Sequence, residues 1–300
     1  MPGAPLTHSR ESLRIYLAQI APSLGDLARN CELHLEQVAR ARGQHADLVV
    51  FPELSLTGYW LHDMVSEVAL DPGTAPVLAP LRAASQGLDI VLGLVEDGGD
   101  GRCYNTTILL RRERVAWRHR KLHLPTYTLF DEGRYFTAGS DLGTFTTGGA
   151  RAGVLICEDM WHPALAWLLA QDGCDLLLVP SCGPARGPTD GGIGSQHDWR
   201  LLGETAARFH AQFVIYVNRT GSEDGYTFAG GSFVYGPDGK LLAELPDIDD
   251  AGSLVELDLR EIKRARFVHP MRRDARPDLI HRELSRLLAG RDAAATRDNK

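Results

Sequence analysis

The feature that most constrains this chain is the run Ala152-Gly153-Val154-Leu155-Ile156, five apolar residues that stop abruptly at Cys157-Glu158-Asp159. A short, partly β-branched run of this kind, bounded by polar residues, reads as a buried strand. A strand that is apolar on both faces needs cover on both sides, which points to layered α/β packing. His162-Pro163 then opens a helical pattern through Leu169, with Pro near the first turn, where its missing N–H would have no partner anyway. Cys157 thus stands at a strand-to-helix corner, at the strand's carboxyl end, where open α/β sheets place their ligands. Two readings of Cys157 stay open on this stretch alone: a nucleophile, or one more buried thiol.

Other segments supply further strands. Leu13–Ile20, Leu48–Phe51, Asp89–Val95, Leu176–Pro180, Phe213–Asn218, Gly231–Tyr235, Lys240–Glu244 and Ser253–Leu257 read as strands, and Cys103–Leu110 with Val115–His119 as a hairpin. Helical spacing predicts helices over 30–41 (stopping at Gly43), 76–86, 163–171 and 197–210, with 284–288 closing a last one. Pro237-Asp238-Gly239 is a turn signal. From Lys121 to Ser140 no period survives, and four aromatics (Tyr127, Phe130, Tyr135, Phe136) argue for an ordered, functional loop. The expected organisation is a flexible lead over 1–12, one α/β domain over 13–265, and a C-terminal arm over 266–300 that makes an oligomer contact and frays beyond Gly290.

Composition narrows the function classes. A chain of 300 residues with a formal charge of −7 is large enough for a substantial core and lacks the basic balance of a nucleic-acid binder. The longest apolar runs are far too short to span a membrane, and Met1 to Arg10 has no apolar signal core. Five cysteines with no Cys-x-x-Cys fit neither a disulfide framework nor a structural zinc site, so a reducing cytoplasm is expected, with no metal and no cofactor. Asp247, Asp249 and Asp250 lack the Gly and spaced Glu of a calcium loop and read as a solvated turn.

Chemistry at Cys157 needs a base or a cation, because a thiol is a poor nucleophile until it loses its proton. Eleven histidines are present, and none stands in a recognisable signature. Glu53 and Lys121, however, each follow an expected strand as Cys157 does. Either alone is more often a solvated strand end. Together they make a coherent site, in which the carboxylate accepts the thiol proton and the ammonium steadies the charge on an attacked carbonyl. Trp161 and His162 either wall this pocket or pack the helix start. Cys31, Cys103, Cys174 and Cys182 read as core thiols.

These residues also carry a resemblance. Phe51-Pro52-Glu53-Leu54-Ser55-Leu56-Thr57-Gly58-Tyr59, Arg120-Lys121-Leu122-His123-Leu124-Pro125 and Gly153-Val154-Leu155-Ile156-Cys157-Glu158-Asp159 resemble the three signatures of the nitrilase (carbon–nitrogen hydrolase) superfamily, in order and in separation. Asn218-Arg219-Thr220-Gly221 and Gly230-Gly231-Ser232 extend the likeness to about residue 260. The resemblance implies a four-layer α-β-β-α sandwich that pairs into homodimers or larger assemblies. It implies Glu53 as base, Lys121 as oxyanion stabiliser, Cys157 as nucleophile and Glu132 as a second, positioning glutamate. It implies further that the backbone N–H of Glu158 completes the oxyanion hole.

Thr57-Gly58-Tyr59, Leu124-Pro125-Thr126-Tyr127 and Phe130-Asp131-Glu132-Gly133-Arg134-Tyr135-Phe136 are similar to the glutaminase domain of glutamine-dependent NAD synthetases. That likeness puts Tyr59 and Tyr127 in the substrate pocket, with Glu158, Trp161 and Ser181 counted among the substrate-binding residues. No Ser-Gly-Gly-x-Asp-Ser motif follows Cys157, and Gly183 stands where glutaminases tend to carry a serine. The expectation is therefore a free-standing amidase that releases ammonia from a small carboxamide through a cysteine thioester. A glutaminase-type subunit serving a separate synthetase, and nitrile hydrolysis at the same site, are the alternatives.

Overall fold

The computed structural model describes residues 11–189 and 192–298; residues 1–10 of the expected lead lie outside them. Two six-stranded sheets are stacked face to face. The first runs in the order Ala251–Asp258, Ser12–Gln19, Leu48–Val50, Asp89–Asp97, Cys103–Arg111, Arg114–Arg120. The second runs Leu241–Glu244, Phe233–Tyr235, Phe213–Asn218, Leu176–Ser181, Ala150–Val154, Thr144–Thr147.

Strand alternation explains the layers, because successive side chains point to opposite faces. In the first sheet Leu13, Ile15, Leu17, Leu48 and Val50 pack in the core shared with the second sheet. Their neighbours Tyr16, Ala18 and Val49 pack instead with Cys31, Val38 and Ala41 of helix Leu27–Gly43 and Leu81 of helix Ala79–Ala84. The second sheet is covered by helices Pro163–Gln171 and Gly194–His210, through Ala166, Leu169, Trp199, Ala206 and Ala207. The outcome is a helix–sheet–sheet–helix sandwich, as expected.

Several boundaries differ from expectation, each for a local reason. Helix Leu27–Gly43 starts three residues early because the Asp26 carboxylate accepts the Arg29 N–H at 3.1 Å and caps it. The segment 76–86 divides into a 3₁₀ turn, Pro76–Leu78, and helix Ala79–Ala84. Strand Ala150–Val154 begins and ends two residues early, and Leu155 keeps a single bond to the Leu178 carbonyl at 3.0 Å. Gly230 and Gly231 take positive φ and delay the next strand to Phe233–Tyr235. Strand Thr144–Thr147 was not foreseen: its four residues offer only Phe145 as an apolar signal. Helix Arg260–Val268 was hidden because it buries only Ile262 and Ala265. The last helix spans Pro277–Asp298, far beyond 284–288.

The two sheets carry four of the candidate positions at the carboxyl ends of strands. Ser12–Gln19, Leu48–Val50 and Asp89–Asp97 pair in parallel, and Arg114–Arg120 returns to that direction after one antiparallel strand. Ala150–Val154, Leu176–Ser181 and Phe213–Asn218 are likewise parallel. Glu53, Lys121, Cys157 and Cys182 each follow such a strand at its carboxyl end.

Candidate active site

Glu53 is carried by the chain just past Leu48–Val50, which folds back tightly over the neighbouring strand. Gly93 permits this approach: a Cβ there would lie 2.3 Å from the Leu54 nitrogen and 2.9 Å from the Glu53 carbonyl carbon. Lys121 is fixed by its own backbone, donating to the Asn105 carbonyl at 2.8 Å and accepting the Gly139 N–H at 2.8 Å. Cys157 opens a 3₁₀ turn, Cys157–Trp161, with φ +45. A non-glycine residue holds that left-handed conformation only where its surroundings enforce it. Glu132 starts a one-turn helix, Glu132–Tyr135, inside the aperiodic loop, and its N–H donates to the Pro125 carbonyl at 3.0 Å.

Glu53, Lys121 and Glu132 meet in the interior, and Cys157 is close enough to feel the charge of all three. Lys121 Nζ donates to Glu53 Oε1 and to Glu132 Oε1, both at 2.7 Å. Asn105 Nδ2 reaches the same Glu53 oxygen at 2.8 Å, and the Cys182 N–H holds Glu53 Oε2 at 2.8 Å. Tyr59 donates its hydroxyl to Glu132 Oε1 at 2.5 Å. All of these residues are buried, so their charges interact with little screening by water.

Burial dominates the protonation chemistry. It raises the Cys157 thiol well above its usual range, the Glu53 charge raises it further, and Lys121 pulls the other way. The resting sulfur is therefore a neutral thiol that needs a base. Burial alone would depress Lys121, but Glu132 and Glu53 carry it well above the ordinary lysine range, so it is a fixed ammonium. Burial pushes Glu132 up to about 7 against the opposing pull of Lys121.

Cys157 and Glu158 open on a cavity of about 650 Å³, lined also by Tyr127, Phe130, Trp161 and Trp199. The Tyr127 hydroxyl donates to Glu158 Oε2 at 2.8 Å, and the Trp161 and Trp199 rings meet edge to face at 5.5 Å. Tyr127, Glu158 and Trp161 thus stand on this cavity. Tyr59 does not line it; it lies behind, against Glu132. Ser181 is fully buried at its strand end and is also absent from the lining.

Sequence reading missed Asn105 and the second role of Cys182. Asn105 had a weak signal, a polar residue inside an otherwise buried strand. Cys182 reads as a core thiol, and its thiol does sit buried, donating to the Glu53 carbonyl at 3.1 Å, but its backbone N–H grips the carboxylate. All five cysteines are unpaired. Among the described residues, no group of three or more His, Cys, Asp or Glu side chains is placed to hold a metal ion. No helix among them is long and apolar enough to cross a membrane.

Residues 14–267 match the carbon-nitrogen hydrolase family. The glutamine-dependent NAD(+) synthetase of Rhodobacter capsulatus is 35% identical over 252 residues, covering 83% of this chain and 44% of that protein. The chain spans less than half the length of the curated synthetases it matches. An (R)-stereoselective amidase of Pseudomonas sp. is 33% identical, with 88% of this chain and 92% of that enzyme covered. An amidase of Nesterenkonia sp. AN1, in a Glu-to-Gln variant bearing the acetamide moiety of fluoroacetamide on its active-site cysteine, superimposes with a TM-score of 0.76. That pair is 26% identical and covers 91% of this chain and 97% of the amidase. By family match, by relatives and by architecture, the chain belongs to the carbon-nitrogen hydrolases.

Proposed function

We propose that the protein hydrolyses a small carboxamide through a thioester on Cys157 and releases ammonia. The observation that carries this reading is the buried Glu53–Lys121–Glu132 chain whose charges act directly on the Cys157 thiol. Glu53 takes the thiol proton as sulfur attacks the amide carbon. Lys121 and the Glu158 backbone N–H stabilise the oxyanion. The proton passes from Glu53 to the amide nitrogen, the C–N bond breaks, and ammonia leaves. Glu53 then takes a proton from water, whose oxygen attacks the thioester. The acid is released, and the proton returns to the Cys157 sulfur. Glu132 holds Lys121 from the far side, and Tyr59 holds Glu132.

The curated synthetase relatives favour a second reading, a glutaminase-type subunit that delivers ammonia to a separate synthetase. The amidase relative, matched over nearly its full length, favours the free-standing enzyme. Ammonia release on a panel of glutamine, asparagine, ω-amides of dicarboxylates, N-carbamoyl amines and simple nitriles separates these. Turnover of an amide by the isolated protein supports the amidase; release only with a co-purified synthetase supports the subunit; turnover restricted to nitriles overturns both.

The reading also includes a homodimer in a reducing, cytoplasmic compartment. Five unpaired cysteines support the compartment. Exposed Leu168, Leu201 and Phe209 on the second sheet's helices, and Phe267, Leu284, Leu287 and Leu288 in the C-terminal arm (266–300), support pairing through the helical face and the arm.

A further inference from the structure

Asp159 lies two residues past the nucleophile, does not line the cavity, and is fully buried. Its Oδ1 accepts the backbone N–H of His123 at 2.8 Å and of Leu122 at 3.1 Å. Its Oδ2 accepts the backbone N–H of Ile156 at 3.2 Å. The imidazoles of His123 and His119 stand 3.2 and 3.6 Å from its two oxygens. One carboxylate therefore ties two segments that are far apart in sequence. Leu122 directly follows Lys121, and Ile156 directly precedes Cys157.

We propose that Asp159 is a positioning residue that sets the separation of the Cys157 sulfur and the Lys121 ammonium; this rests on the hydrolase reading above. Backbone alone does not guarantee that separation. The two residues leave strands of different sheets, and Cys157 adopts a left-handed φ of +45 that its surroundings must enforce. A carboxylate accepting several N–H groups at once is a strong and directional tie. Asn cannot replace it, since its NH₂ would meet the N–H of Ile156 or of His123 and leave a donor unpaired in the interior.

Asp159→Asn tests this. Turnover is measured per active site, with sites counted by titration of the reactive Cys157. A misplacement of about 1 Å at a reacting centre lowers rate on the order of 100-fold, so kcat per titrated site is expected to fall by about that factor with KM near the wild-type value. The second-order rate of Cys157 alkylation by iodoacetamide is expected to change in parallel. A merely structural role would lower the melting temperature or the number of titratable sites while leaving kcat per site intact, and that result overturns the proposal. Should the variant not fold, amide hydrogen exchange on the wild type decides. Slow exchange at Leu122, His123 and Ile156, comparable to strand Leu176–Ser181, supports the tie; exchange as fast as in exposed loops refutes it. A wild-type protein that releases no ammonia and forms no acyl adduct defeats the hydrolase reading instead, and the alkylation rates still report on Asp159.

Discussion

Glu132 sets the expected pH dependence at the scale of single residues. Burial pushes its carboxyl up to about 7. Below that pH it is largely neutral; above it, its carboxylate holds the Lys121 ammonium at 2.7 Å as a full ion pair. The rate constant kcat/KM should therefore rise as pH climbs through about 7. In Glu132→Gln that inflection should vanish, and kcat/KM at pH 8 should fall on the order of tenfold, about the worth of one hydrogen bond to a charged group lost at Lys121. A variant profile that keeps the wild-type inflection assigns the titration to another group. The stability consequence has a fixed sign. A carboxyl whose folded pKa is raised favours the fold most below its ordinary value of 4.5, and the contribution is lost as pH rises through about 7. Glu53, Lys121 and Cys157 were readable in the sequence because each follows a segment that reads as a strand, at its carboxyl end. Asn105 and the Cys182 N–H were not, because a backbone donor or a strand-interior amide acquires meaning only when a distant carboxylate is packed against it.

At the scale of elements, individual strands and helices were legible wherever periodicity is set by burial, whereas the two-sheet sandwich was implied by the family resemblance. Strand alternation in Leu13–Leu17 and the apolar run Leu176–Val179 state which faces are covered. Helices with little buried surface, such as Arg260–Val268, leave no such stripe. The tight fold-back at Glu53 was also unreadable, since the glycine that permits it, Gly93, belongs to another strand. Gly93→Ala would press a methyl into the Leu54 and Glu53 backbone. Overpacking of this kind costs about 1–3 kcal/mol. The expected outcome is a lower melting temperature together with weakened turnover, because the displaced segment carries the base. A melting curve and kcat unchanged from wild type would show that the segment relaxes freely.

For the whole molecule, the open question is what covers the C-terminal arm. Leu284, Leu287 and Leu288 recur along one helix and are about half exposed, and Phe267 is 87% exposed. Apolar surface of this extent on two neighbouring helices of the chain, Arg260–Val268 and Pro277–Asp298, normally meets a partner. With a second copy as that partner, Leu284→Glu combined with Leu287→Glu should shift sedimentation from dimer toward monomer while each monomer keeps its fold by circular dichroism. A wild type that sediments as a monomer at micromolar concentration would remove the dimer from the account. Composition alone could not supply this surface, because exposed leucines in a sequence look the same as buried ones.

The most direct test of the central claim is mass spectrometry of the acid-quenched enzyme during turnover of an amide it accepts. The expected result is a mass gain equal to the substrate's acyl group on the peptide containing Cys157, absent in Cys157→Ala, which should also release no ammonia. Ammonia release at the wild-type rate from Cys157→Ala, or an acyl group found on any other residue, would contradict it.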